Sequence, residues 1–168
     1  MKKLILSALC ALGMAFGASQ AQAQSTFEQG SNMLNLGVGL GVKTKHQTVP
    51  PISIGYERSV VDGLIEYGSI GLGAEFEYQS FRHPDKRGNL ALFVGPRISL
   101  HYEFVDNLDT YITGRAGLEL YPKEGGTATS FAPSISLGAR YLFSDKFGIF
   151  TEVGTGISIL HLGMSFNL

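Results

Sequence analysis

Tryptophan is absent from this chain, and cysteine occurs once, at Cys10. A lone cysteine excludes an intramolecular disulfide framework and leaves little room for thiol chemistry. Lysine is also thin. Beyond the first residues it occurs at Lys43, Lys45, Lys86, Lys123 and Lys146, all in stretches that read as turns or loops. No basic patch is visible, and the formal charge is only −1, which gives nucleic acid nothing to bind. No helical period appears after the first two dozen residues.

What is present begins with an export signal. Met1-Lys2-Lys3 is a short basic start, Leu4 to Gly17 is an apolar run of 14 residues, and Ala21-Gln22-Ala23 is a small-x-small cleavage site. The apolar run is too short to span a bilayer comfortably. The expectation is a cleaved signal over residues 1–23, with cleavage after Ala21 as the alternative, followed by one domain over 24–168. Cys10 leaves with the signal, and Leu6-Ser7-Ala8-Leu9 before it is a poor lipoprotein box. Loss of Lys2 and Lys3 leaves 11 basic against 14 acidic residues, a net charge of −3.

After a polar lead, Gln24 to Gly30, the chain alternates with period two to its end, the signature of strands with unlike faces. One face carries Leu34-Leu36-Val38-Leu40, Ile52-Ile54-Tyr56, Ile70-Leu72-Ala74-Phe76-Tyr78 and Leu90 through Phe104 at even positions. It continues with Ile112-Ala116-Leu118-Leu120, Phe131-Ile135-Leu137-Ala139-Tyr141-Phe143, Phe147-Ile149-Thr151-Val153 and finally Leu162-Met164-Phe166-Leu168. These are eight segments. Short turns are expected at Val61-Asp62-Gly63, Asp106-Asn107 and Ser144-Asp145-Lys146, and longer loops at Lys43–Pro50, Phe81–Gly88 and Tyr121–Thr129. The hairpin near Thr155 to Ile159 is weakly marked, although the apolar phase flips there. Pro96 falls mid-strand and leads us to expect a bulge.

Eight alternating strands suit a soluble sandwich or barrel as well as a membrane barrel. The distribution of lysine decides. The less apolar face is glycine, serine and a few arginines and glutamates, which fits a crowded polar interior. The apolar face then points outward, into lipid. Lipid admits only helices or closed barrels. The fold class predicted is therefore all-β: an eight-stranded antiparallel up-and-down transmembrane β-barrel with periplasmic termini. In that orientation Tyr56, Tyr102, Phe104, Tyr141, Phe143, Phe147 and Phe166 gather at the periplasmic boundary. Phe76, Tyr78 and Phe131 gather at the outer one, as interfacial girdles do.

The segments PPISIGYERSV, SIGLGAEFEY, RISLHYEF, LDTYITGRAGLEL, IFTEVGTGI and the ending LGMSFNL resemble the small eight-stranded outer-membrane barrel family, OmpA/OmpX-like, of Gram-negative bacteria. The resemblance covers nearly all of residues 24–168. It implies residence in the outer membrane among lipid and lipopolysaccharide, as a monomer. It also implies recognition of the terminal pattern Leu162, Met164, Phe166 and Leu168 by the barrel-assembly machinery. Leu168 departs from the family's usual terminal Phe, and the missing tryptophan departs from its girdles. Function varies widely across the family.

Ser99, His101 and Glu103 share a face, as a hydrolytic set would, but they would point into the lumen away from lipid substrates. His46, His83, His101 and His161 are too scattered for metal ligation. The glycine-rich GVGLGV from Gly37 opens no helix and is not a phosphate loop. No cofactor or metal is expected. Inward charges are better read as a lumen network of Glu57, Glu75, Arg97, Arg115, Arg140 and Glu152, since arginine at mid-depth on the lipid face would cost ~2–4 kcal/mol. The expectation is a non-enzymatic envelope or surface-interaction barrel with a plugged lumen. The alternatives are a small pore, a hydrophobic-ligand conduit or a lipid A-modifying enzyme.

Overall fold

A computed structural model describes residues 26–41, 47–63, 68–83, 86–123 and 126–168. The expected signal over 1–23, and Lys43, Lys45 and His46, lie outside the described residues, as does the side chain of His83. Eight antiparallel strands close into a barrel in chain order. They are β1 (Asn32–Leu40), β2 (Gln47–Asp62), β3 (Gly68–His83), β4 (Lys86–Val105), β5 (Leu108–Lys123), β6 (Gly126–Ser144), β7 (Phe147–Gly154) and β8 (Leu160–Asn167).

β1 closes the barrel by pairing on both sides, Leu36 opposite Ile54 of β2 and Met164 of β8. From Leu36, paired residues lead one way through Ile54, Phe76, Val94 and Leu118 to Phe131 of β6. The other way they lead through Met164 and Ile149 to Tyr141 of the same strand, a stagger of ten residues. With a rise of ~3.3 Å per residue and ~4.8 Å between strands, ten residues across eight strands set a tilt of ~40°.

The two faces are inverted relative to a water-soluble barrel. Buried side chains are chiefly polar: Glu57, Glu75, Arg97, Arg115, Arg140 and Glu152 are each at most 4% exposed. Large apolar residues cover the outside, among them Leu36, Ile54, Leu72, Val94, Ile98, Leu118, Ile135 and Ile149. At the end holding the described termini, aromatics stack in sequence on the outer face. Tyr102 lies 4.6 Å from Phe104, Tyr141 5.4 Å from Phe143, Phe143 6.2 Å from Phe147, and Phe147 5.5 Å from Phe166. Tyr56 donates its hydroxyl to Asn32 Oδ1 at 2.7 Å near the same end. Phe76, Tyr78 and Phe131 sit farther toward the opposite end.

Three local expectations are corrected. The stretches read as loops at 81–88 and 121–129 are mostly strand. β3 and β4 stay paired as far as His83 with Lys86, and β5 and β6 as far as Lys123 with Gly126, so Lys86 and Lys123 end strands. Likewise β2 begins at Gln47, inside the loop expected at 43–50. Backbone pairing does not need an apolar face, and beyond the apolar band the sequence loses its alternation without losing its ladder. Nor is there a bulge at Pro96. Val94 pairs with Leu118 and Arg97 with Arg115, so the register is the same on both sides. Gly95 and Gly117 face each other so closely that neither has room for a Cβ, which brings the strands together where the proline lacks its donor. The polar lead before β1 is tied to β2. Gly30 N–H donates to Ser59 C=O and Ser59 N–H to Ser31 C=O, each at 3.0 Å, and this turns residues 26–27 into the barrel mouth.

Candidate functional site

Among the described residues, chemistry-bearing side chains converge in the barrel interior. Inward positions on β2, β3, β4, β5, β6 and β7 bring together all six residues chosen from the sequence. Arg97 is central. It donates to Glu75 Oε2 at 3.0 Å, Glu152 Oε1 at 3.1 Å and Thr113 Oγ1 at 3.2 Å, and lies 3.5 Å from Glu57. Arg115 donates to Glu75 Oε1 at 2.6 Å and to Ser136 Oγ, and lies 3.8 Å from Glu152. Arg140 reaches Glu57 at 3.9 Å.

The network is larger than the sequence reading drew it. Arg140 donates to Asp109 Oδ2 at 2.9 Å, and Arg115 to Glu77 Oε1 at 3.3 Å. His101 bridges Asp109, at 2.9 Å, and Glu57, at 3.3 Å. His161 lies 3.2 Å from Glu77, and Tyr111 donates to Glu152 at 2.9 Å. Three guanidinium groups and two imidazoles thus interleave with five carboxylates. Both Glu77 and Asp109 keep the inward parity of Glu75 and Tyr111, and that parity is the signal that finds them.

Below the network the lumen is closed by apolar groups. Phe27, Met33 and Leu142 form a buried cluster. The Phe27 ring lies 4.2 Å from the His101 ring and 5.6 Å from the Arg140 guanidinium. Thr26 donates both N–H and Oγ1 to Glu103. Nothing periodic marks residues 26–27, so the sequence carried no sign of this stopper. Tyr111 lies 5.2 Å from the Arg140 guanidinium, and a Cβ on Gly138 would overlap its ring. That glycine makes room for an aromatic plate rather than for a charged chain.

The Ser99-His101-Glu103 set does not assemble. Ser99 Oγ shares a hydrogen bond with Thr113 Oγ1, His101 faces Asp109 and Glu57, and Glu103 holds Thr26. The terminal-strand residues Leu162, Met164, Phe166 and Leu168 take the outer face of β8 and its end, where β8 pairs with β1 and β7.

No family model and no curated protein matches this sequence. Among solved structures, the chain is similar to one described under "De novo design of transmembrane beta-barrels". The TM-score is 0.50 at 16% sequence identity, over 84% of this chain and 98% of that one. The likeness is one of fold: a closed eight-stranded antiparallel barrel of the kind built to cross membranes.

Proposed function

We propose that this protein is an outer-membrane barrel with a sealed lumen, serving a structural or surface-interaction role in the envelope rather than catalysis or transport. The observation that carries this reading is the inversion of the two faces: charge packed inside, apolar residues exposed outside. Hydrocarbon is the solvent in which that arrangement is favourable. The signal over 1–23 directs export, the termini stay periplasmic, and the stacked aromatics from Tyr102 to Phe166 sit at the periplasmic interface beside lipid. The pattern Leu162, Met164, Phe166 and Leu168 serves the barrel-assembly machinery, and the folded monomer stands among lipid and lipopolysaccharide. The ion network and the Phe27 stopper plug the lumen, since eight strands enclose an interior only just filled by side chains.

Two linked measurements test this. Boiled and unboiled samples should migrate differently on a gel, and extraction should require detergent. The refolded barrel should then show no steady conductance in a planar bilayer. Recovery in an aqueous fraction without detergent would overturn the membrane assignment, and a steady wild-type current would favour a pore.

A further inference from the structure

Above the ion network the barrel wall is incomplete. β7 ends at Gly154, opposite Ser136, whereas β6 runs on to Gly126, so among the described residues 126–135 of β6 have a strand partner on the β5 side only. The last links across the gap are Thr155 N–H to Ile135 C=O at 2.9 Å and Ile135 N–H to Thr155 Oγ1 at 3.1 Å. Backbone groups alternate sides along a strand. The next residues that present theirs to the gap are therefore Pro133 and Phe131. Proline there has no N–H to leave unpaired, as befits an exposed edge.

Behind this edge lies a cavity of about 250 Å³. Glu77 and Phe93, both buried lumen residues, line it, and so do Phe131 and Pro133, whose side chains lie on the outer face. The cavity thus joins the lumen to the outer surface sideways, through the gap. Ile157 of the β7–β8 connector forms the opposite lip. The outer residues at the gap, Phe131 and Ile135, are apolar and exposed, and Leu118 and Leu137 beside them on the outer face are too, so the opening adjoins the apolar band. Its floor is shut, because Glu77 is tied to Arg115 and His161. Glu119 also lines the cavity, is half-buried, and has no ion pair or hydrogen bond among the described residues. Among the described residues no lysine or arginine lines it.

We infer that the notch between β6 and the β7–β8 connector is a side-entry binding site for an amphipathic cation. A protonated amine sits against Glu119, and its apolar chain passes between Phe93, Ile157 and Phe131 to the outer surface. The volume holds ~8 water-sized groups, enough for an ammonium head and the first part of an alkyl chain. Anionic amphiphiles are disfavoured by the unpaired Glu119 carboxylate, since Arg115 and His161 are already engaged by Glu77. The site depends on the membrane reading, because its mouth opens where lipid would lie.

The test uses the refolded full chain in a non-ionic maltoside detergent, with bound adducts counted by native mass spectrometry. Dodecylamine should bind saturably, one per barrel, while methylamine and dodecyl sulfate should not. Glu119→Gln should weaken dodecylamine at least tenfold, and Ser134→Trp, which fills the cavity, should abolish binding. Both variants should keep the heat-dependent gel shift of a folded barrel. A gel-shifting barrel with no saturable site, or with binding unmoved by both substitutions, or with equal affinity for dodecyl sulfate, would overturn the site alone. A barrel soluble without detergent would overturn the membrane reading and the site with it.

Discussion

Arg97 shows what a single inward charge is required to do. Its guanidinium meets side chains from β2, β3, β5 and β7 at once. Removing it leaves three buried carboxylates, Glu57, Glu75 and Glu152, each short of one cationic partner. Arg97→Met is expected to lower stability by about 3–5 kcal/mol, read from the urea midpoint of the gel-shifting form, and an unchanged midpoint would mean the lumen is wet enough to solvate the pair. Phe27 makes the contrasting case. It is 3% exposed and packs on His101, Met33 and Leu142 from outside the strand pattern. Phe27→Ala should cost roughly 3 kcal/mol, the lower range for a buried aromatic, in the same urea titration. A loss below ~0.5 kcal/mol, typical of surface substitutions, would show that the stopper is dispensable. The inner charges were legible because alternation placed them inside and arginine is costly in lipid. His101 and His161 were legible as inward but not as partners, because which groups meet across a lumen depends on the ten-residue stagger. Period and turn signals do not report that stagger.

At the scale of strands, period two located all eight, since each has one apolar face wherever it crosses the band. It failed at their outer ends. β4 runs for 20 residues, about twice the ~9–11 that a membrane crossing needs. Beyond the apolar band the alternation stops while the ladder continues, so His83 to Lys86 and Lys123 to Gly126 pair without any hydrophobic record of it. The terminal strand carries a different prediction. Phe166 stacks on Phe147 at 5.5 Å and faces outward on β8. Phe166→Asp should cost only ~0–1 kcal/mol in the folded barrel, because the proposed membrane placement puts the site near an interface. Delivery should suffer more, seen as accumulation of unfolded protein in the periplasm of expressing cells. Normal membrane levels of folded Phe166→Asp protein would remove Phe166 from the assembly signal.

For the molecule as a whole, closure, tilt and the inverted faces form one argument. A sheet with an apolar exterior has no stable open form in lipid, so β8 must return to β1, and the interior must then neutralise its own charges. The missing tryptophan makes this directly measurable, because any introduced indole is the only one present. Ile149 and Phe150 are neighbours on β7 at almost the same depth, but Ile149 is 49% exposed outside and Phe150 is 5% exposed inside. Ile149→Trp and Phe150→Trp, each reconstituted into bilayers of lipids brominated on their acyl chains, should differ sharply in fluorescence. Strong quenching is expected for Ile149→Trp and little for Phe150→Trp. Equal quenching of the two, or stronger quenching of Phe150→Trp, would contradict a barrel that turns its apolar face to lipid and its charges inward.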